Sequence, residues 1–153
     1  MSEVAHRFES ALCDLNEKAC LIDYDELEQM ASKMRPNIIF AGTSTYSRLI
    51  DYEKSRILAD EAEAFLHADL AHIFELFAAK AIPSPFSSCD VVTTTINETF
   101  QGSSRSVIKF RRRLEETMNK TVFYSFQSGM NERQVVASAV ALLHAKTLES
   151  KIA

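Results

Sequence analysis

The chain has 153 residues, which is enough for one domain with its own core or for part of a larger domain. An apolar fraction of 46% and a charged fraction of 25% are ordinary for a globular protein and exclude a disordered chain. A net charge of −4 and a pI near 5.6 argue against a nucleic-acid partner or an anionic membrane surface.

The amino terminus carries no apolar signal segment, and no apolar run approaches the roughly 18 residues that a membrane span needs. We therefore expect a cytoplasmic protein. Cys13, Cys20 and Cys89 are odd in number and widely spaced, which favours reduced, packed cysteines over disulfides or a metal site.

Apolar periodicity predicts alternating helices and strands after a weakly periodic lead-in over residues 1–20, which we expect to be irregular or partly helical. The predicted helices cover residues 25–34, 52–63, 71–79, 114–121 and 132–147, and the predicted strands cover 37–40, 64–68, 90–95 and 106–110. Asp51 is expected to cap the second helix. This alternation predicts an α/β fold with a mostly parallel sheet covered by helices. The last strand is expected to pair either parallel or antiparallel.

The same periodicity predicts which helix residues face the core. They are Ile57, Leu58 and Ala62 in the second helix, and Val135, Val136, Ala139, Leu142 and Leu143 in the last helix.

Polar side chains follow the second and third predicted strands of the parallel sheet. Asp69 comes directly after the strand 64–68, with His72 three residues later, and a run of threonines ends at Thr95. Ligands of open α/β sheets bind at the carboxyl ends of the strands, so these residues predict a cofactor site. The chemistry of that site depends on Glu98, which follows the threonine run.

Arg111, Arg112 and Arg113 form the only basic run, between a predicted strand and a predicted helix. We expect a solvated end of an element, with contact to a partner or a phosphate as the alternative.

Six blocks in order at consistent spacing resemble serine hydroxymethyltransferase. They are Phe8-Glu9-Ser10, residues 21–28 (LIDYDELE), residues 41–48 (AGTSTYSR), residues 68–73 (ADLAHI), residues 83–86 (PSPF) and residues 91–95 (VVTTT). The resemblance runs from about Phe8 to Thr147. It implies a fold-type I large domain that uses pyridoxal phosphate (PLP) to move a one-carbon unit between serine and tetrahydrofolate.

The resemblance also implies roles for four residues. Asp69 corresponds to the carboxylate that pairs with the pyridine nitrogen of PLP, Ser44 and His72 to polar groups near the ring, and Thr95 to a hydroxyl near the Schiff-base segment. From the residues alone, Asp69 also fits a capping acid and His72 a half-buried helix histidine.

The departures from the family pattern concern the chemistry. Where the family has Thr-His-Lys-Thr, this chain has Ile96-Asn97-Glu98-Thr99. A carboxylate cannot condense with an aldehyde, so Glu98 cannot replace the Schiff-base lysine, and Lys80 and Lys109 lie on other elements. The family's Gly-Gly-Pro-His segment is replaced by Ser128-Gly129-Met130-Asn131, which removes close backbone approach to a phosphate.

The resemblance covers only the middle of the family's large domain. We therefore expect residues 1–153 to form a single incomplete large-domain fragment without the small carboxy-terminal domain. The expected function is that of a catalytically inactive homologue, either an interaction module that forms a homo-oligomer or joins a full-length subunit, or a decayed duplicate. The alternative is a residual PLP-binding enzyme that needs a complementing full-length subunit. A fragment that does not fold alone is a third possibility.

Overall fold

The computed structural model describes residues 8–16, 18–95, 106–126, 129 and 131–144. Its main feature is a four-stranded sheet made of β3 (Ile38–Gly42), β4 (Phe65–Asp69), β5 (Val91–Thr95) and β6 (Ser106–Phe110), in that order. The first three strands are parallel, and β6 pairs antiparallel with β5. The predicted α/β class and the mostly parallel sheet are confirmed. Of the two directions expected for the last strand, the antiparallel one is found.

The lead-in differs from the expected irregular or helical segment. Within the described residues, β1 (Leu15–Asn16) and β2 (Leu21–Ile22) form a small antiparallel pair. The Asn16 side chain accepts hydrogen bonds from the backbone N–H groups of Lys18 and Ala19, and this closes the turn between the strands. Such local side-chain bonds compete with helix formation, and apolar periodicity does not register them.

Nearby side chains cap the starts of the helices before and after β3. In α1 (Tyr24–Met34), the Asp23 carboxylate accepts a hydrogen bond from Glu26 N–H, and Arg35 ends the helix with a left-handed φ of 46°. In α2 (Tyr52–Glu61), the Asp51 carboxylate accepts a hydrogen bond from Lys54 N–H at 2.9 Å. The predicted cap at Asp51 is confirmed.

Helix α2 packs against β3 and β4, and α1 packs against α2. The buried side of α2 consists of Tyr52, Ser55, Leu58 and Ala59. The prediction that Ile57 faces inward is wrong, because its side chain is 58% exposed. One residue rotates a helix by about 100°, so Ile57 points away from the sheet when Leu58 points toward it.

The core lies between these helices and one face of the sheet. Leu66, Ala68 and Leu70 are fully buried there, together with Ile39 and Val92. Residues on the opposite face are more exposed: Ile38 by 46%, Phe40 by 69% and Phe65 by 41%. The alternation of β3 and β4 therefore separates a covered face from an open face within the described part of the chain.

The remaining helices are α3 (Phe74–Ala78), α4 (Glu115–Lys120) and α5 (Glu132–His144). The prediction that α5 buries Val135, Val136, Leu142 and Leu143 is wrong for its described residues, since all four are at least 40% exposed. No extensive contact joins α5 to another described element. The apolar residues of α5 therefore recur at helical spacing, but no described element packs extensively against them.

Candidate functional site

The parallel strands bring three predicted site residues to one edge of the sheet. Asp69 ends β4, Thr95 ends β5, and Ser44 lies in the loop directly after β3. The register pairs Gly42 with Asp69 and Asp69 with Thr93, so the ends of β3 and β5 flank Asp69. His72 lies in the turn after β4 and is exposed, so the structure places all four predicted residues around the same edge.

Asp69 lies on the open face of the sheet and is exposed. Its Oδ1 accepts a hydrogen bond from Ala71 N–H at 3.2 Å. A Cβ at Gly42 would lie 3.6 Å from the Asp69 Cβ, so glycine at this position keeps the neighbouring space open. The carboxylate is therefore available to a cationic or hydrogen-bonding group from outside the described chain.

His67 belongs to this site although the sequence analysis did not single it out. Its Nε2 lies 2.9 Å from Thr93 Oγ1, and its ring centroid lies 4.8 Å from that of Phe40. Burial lowers the pKa of His67, and the nearby Asp69 carboxylate only partly opposes this effect. The period of two in β4 puts His67 and Asp69 on one face, and that signal could have identified His67.

Two hydroxyls at this edge are buried without a hydrogen-bond partner among the described residues. They are Thr95 Oγ1, at the end of β5, and Thr43 Oγ1, directly after β3. A buried hydroxyl without a partner costs about 1–3 kcal/mol, and most such groups are satisfied in native proteins. Glu98, the residue on which the chemistry depends, lies outside the described residues.

The opposite edge of the sheet contains a buried ion cluster centred on Asp90. The Asp90 side chain is 1% exposed, and its Oδ2 lies 2.6 Å from Arg56 Nη1 and 3.0 Å from the backbone nitrogen of Leu66. Its Oδ1 lies 2.6 Å from Arg113 Nη2 and 3.2 Å from Arg111 Nε. Burial alone would raise the pKa of Asp90, but the Leu66 N–H and Arg56 outweigh burial and hold it below the ordinary value.

Arg111, Arg112 and Arg113 are all exposed at the end of β6, as expected for a solvated element end. The sequence did not predict that Arg111 and Arg113 also bind Asp90 while their side chains stay 43% and 63% exposed. A run of charges in the sequence does not reveal a buried acid more than 20 residues earlier. The cluster joins β5, α2 and the segment after β6, so its role is to hold these elements together.

The three cysteines are free thiols, but only Cys89 is packed as expected: Cys13 is half-buried, and the prediction is wrong for Cys20, which is exposed. Burial raises the pKa of Cys89 to about 11, so this thiol is protonated and unreactive at neutral pH. The described residues contain no group of three or more His, Cys, Asp and Glu side chains that could hold a metal ion. None of the described helices is long and apolar enough to cross a membrane.

Comparison with known proteins assigns the family. The family model of serine hydroxymethyltransferase matches residues 1–152. The chain belongs to the serine hydroxymethyltransferase family. It is 41% identical to the cytosolic enzyme of Neurospora crassa over 99% of this chain and 35% of the relative. It is 40% identical to the enzyme of Bombyx mori over 93% of this chain and 34% of the relative.

A chloroplastic serine hydroxymethyltransferase of Arabidopsis thaliana is also similar, at 41% identity over 94% of this chain and 28% of the relative. The chain thus spans about a third of the length of these curated relatives. These relatives include cytosolic and chloroplastic enzymes, so a cytoplasmic location stays a prediction. Family membership confirms the resemblance and the fold-type I assignment.

PLP is the cofactor of the serine hydroxymethyltransferase family, and the described residues fit only one end of it. Asp69 offers an exposed carboxylate for the pyridine nitrogen, and Thr95 a buried hydroxyl without a partner. Lys54 lies in the first turn of α2, and its Nζ is 5.5 Å from the Tyr24 ring centroid. Lys109 pairs with Val92 in register, which puts it on the face opposite Asp69, and its Nζ lies 4.5 Å from the Phe86 ring centroid. The residues therefore fit contact with the ring and do not fit covalent attachment.

Proposed function

We propose that this chain is a member of the serine hydroxymethyltransferase family that does not catalyse hydroxymethyl transfer and that associates with an intact subunit of the family. The observation that carries the proposal is Glu98 at the position of the family's Schiff-base lysine. A carboxylate cannot form a covalent bond to the PLP aldehyde, and it adds negative charge where an anionic cofactor belongs. We derive no catalytic step for such a site.

The electrostatic balance at this edge supports the loss of activity. Asp69 is already a carboxylate near the expected ring, and Glu98 adds a second acid at the sequence position of the family's lysine. Arg111 and Arg113 are both engaged with Asp90 at the other end of the sheet. Neither arginine is free to offset the charge of Glu98.

The proposed association rests on the open face of the sheet. Phe40 and Phe65 lie on this face beside Ile38, and Ile108 of β6 continues it, with exposures from 38% to 69%. Adjacent exposed apolar side chains of this size are typical of surfaces that another protein covers. The proposed partner is an intact subunit of the same family, because it has a homologous surface. A second copy of this chain is the competing partner.

Co-expression of the tagged chain with the full-length enzyme of the same genome tests the association. We expect a stoichiometric hetero-oligomer by size-exclusion chromatography with light scattering. Phe40→Asp should abolish it, because a charge on the open face would lose its hydration in the interface. Ile57→Asp is the matched control, since Ile57 is 58% exposed on the outer side of α2. A chain that stays monomeric beside the intact enzyme would contradict the proposal.

A second candidate function is residual, non-covalent PLP binding that an intact subunit complements. The unpaired Thr95 hydroxyl and the exposed Asp69 carboxylate favour it. PLP, when bound, withdraws electrons through a protonated ring nitrogen, and Asp69 would hold that proton. His72 and Ser44 are the proposed polar neighbours of the ring.

Borohydride reduction with PLP followed by peptide mapping tests both the inactivity and the residual site. The wild-type chain should yield no specific pyridoxyl-lysine, whereas Glu98→Lys should yield one at position 98 if the ring contacts persist. Glu98→Gln is the matched control, because it removes the charge without supplying an amine. A single stoichiometric adduct on the wild-type chain would overturn the proposed inactivity.

A further inference from the structure

The four-stranded sheet has two free edges among the described residues, the outer side of β3 and the outer side of β6. In β3, the carbonyl of Asn37 accepts a hydrogen bond from the Phe65 N–H of β4 at 2.9 Å. Successive residues of a strand direct their backbone groups to alternate sides, so Ile38, Phe40 and Gly42 direct theirs away from β4. The free edge of β3 therefore presents the N–H and C=O groups of these residues.

The free edge of β6 presents a similar row of backbone groups. Arg111 N–H donates a hydrogen bond at 2.9 Å to the carbonyl of Asp90, the residue before β5. By the same alternation, Ser106, Ile108 and Phe110 direct their N–H and C=O groups away from β5. Unpaired edge groups of this kind are a template for pairing with another strand, so each edge is a candidate docking strand.

Charge distinguishes the two edges. β6 contains Lys109, and the basic run Arg111, Arg112 and Arg113 follows it directly. Charged side chains, lysine above all, oppose pairing at a sheet edge. The sequence from Pro36 to Ser47 contains no Asp, Glu, Lys, Arg or His, so β3 and the start of the next loop are uncharged. Of the two free edges, β3 is therefore the one that is open to a partner strand.

The free edge of β3 is complementary to itself. When two copies run antiparallel with Phe40 opposite Phe40, Ile38 of each copy lies opposite Gly42 of the other. All the outward residues then form hydrogen-bonded pairs, and each such pair exchanges both backbone bonds. Phe40 is 69% exposed, and two such rings side by side form an aromatic cross-strand pair. Glycine opposite isoleucine leaves room for the larger side chain.

Pairing with a second copy also ends the assembly at a dimer. Each β3 edge is used by the other, so the interface has closed two-fold symmetry. The outer strand at both ends of the combined sheet is then β6, whose charges oppose further pairing. An unrelated strand would pair without the match of small and large residues. The observations therefore favour a second copy of this chain over an unrelated peptide.

We propose that β3 pairs antiparallel with β3 of a second copy of this chain and that the two sheets join into one across a dimer. The contact is made by backbone groups at the edge of the sheet, whereas the proposed subunit association uses the open face. The inference does not rest on that association or on PLP. A strand of five residues buries little surface, so the dimer is weak and forms as the protein concentration rises.

Amide hydrogen exchange of the wild-type chain, measured by NMR between about 50 µM and about 1 mM, reports which edge is used. The amides of Ile38, Phe40 and Gly42 should exchange about two- to fivefold more slowly at the higher concentration, because each donates a hydrogen bond in the dimer. The amides of Ile108 and Phe110 should not change. Light scattering over the same range should show the mass rising from monomer toward dimer and not beyond.

Ile38→Pro tests the same contact by mutation, and Ile108→Pro is the matched control. Both isoleucines lie on the open face of an edge strand, with exposures of 46% and 38%, and both direct their N–H outward. Proline at such a position removes no hydrogen bond within the sheet. Ile38→Pro should weaken dimerisation about five- to a hundredfold, since one bond per copy is lost. Ile108→Pro should dimerise like the wild type.

Phe65→Asp separates the edge from the open face, because Phe65 lies on that face in β4, away from the free edge. It should dimerise like the wild type. Circular dichroism checks the fold of each variant, and the exchange measurement on the wild-type chain decides alone if Ile38→Pro does not fold. A wild-type monomer at about 1 mM, protection at Ile108 and Phe110 instead, or a dimer lost in Phe65→Asp and kept in Ile38→Pro would each overturn the proposal.

Discussion

The two ends of the parallel strands differ in how they satisfy buried polar atoms. At the amino end, both oxygens of Asp90 have charged partners, and Leu66 N–H adds a backbone hydrogen bond. Arg56 Nε is the buried atom at that end without a partner among the described residues. At the carboxyl end, the hydroxyls of Thr43, Tyr52 and Thr95 are all unpaired.

The difference lies in the buried charge. Residues from α2 and from the segment after β6 pair both oxygens of Asp90, so we call the amino end the closed end, although Arg56 Nε keeps no partner among the described residues. The carboxyl end keeps hydrogen-bonding capacity that the described residues do not use. Buried polar groups without partners reduce stability and persist where something else satisfies them. Asp69, Ser44 and Thr95, which are predicted to contact a cofactor, lie at this end.

The largest expected effect is at the closed end. Asp90→Asn should lower the free energy of unfolding by about 3–5 kcal/mol, because it leaves the guanidinium group of Arg56, whose side chain is only 17% exposed, without its buried counter-charge. Urea unfolding of both proteins measures it. Asp60→Asn is the control, since Asp60 pairs with Arg56 from a side chain that is 69% exposed and should cost less than about 1 kcal/mol. Similar effects for both variants would remove the contrast between the two ends.

The Asp90 cluster should also make stability depend on pH. The folded state holds the pKa of Asp90 below its ordinary value, so the unfolded chain takes up this proton first as pH falls. The stabilisation is therefore complete above the unfolded pKa of about 3.9 and is lost as pH falls through the folded pKa. The difference in unfolding free energy between wild type and Asp90→Asn should stay constant down to about pH 5 and shrink over the acid range below it. A difference that stays constant over this range would contradict the assignment.

A smaller effect is expected at two residues that follow helices α2 and α3. Glu63 follows α2 with φ of 55° and Lys80 follows α3 with φ of 58°, a left-handed conformation that favours glycine. Glu63→Gly and Lys80→Gly should each raise the unfolding free energy by about 1 kcal/mol, measured by urea unfolding. Ala62→Gly should lower it by about 0.5–1 kcal/mol, because Ala62 is already right-handed. A loss of stability in both left-handed variants would show that these side chains make contacts that outweigh the strain.

The smallest expected effect is at the carboxyl end of the strands, at Thr95. Thr95→Val should raise the unfolding free energy by about 1 kcal/mol, because it removes a buried hydroxyl that has no partner among the described residues. Thr94→Val should cost about 0.5–1 kcal/mol, since Thr94 Oγ1 lies 3.5 Å from Leu70 O and 3.3 Å from Thr95 O and can donate its one hydrogen to either. Thermal unfolding compares the two neighbours. A loss of stability at Thr95 would mean that its hydroxyl is already paired within the protein.

Local signals predicted much of the fold. The cap at Asp51, the end of α1 before Pro36 and the alternation of β4 depend on residues close in the chain, so the sequence reveals them directly. The family motifs gave Asp69, Ser44, His72 and Thr95, and the parallel pairing brought them to one edge. Their roles toward a cofactor stay predictions, as does the effect of Glu98.

The sequence by itself determined the α/β pattern, the cap at Asp51 and the family, because periodicity, capping and motif order are properties of short stretches. Only the tertiary structure decided which apolar faces are covered, which arginines reach Asp90 and which hydroxyls are left unpaired. Ile38 and Ile39 are identical side chains, yet one is exposed and the other buried. Burial and pairing depend on contacts between residues that are distant in the chain. No local sequence pattern shows which of these residues come into contact.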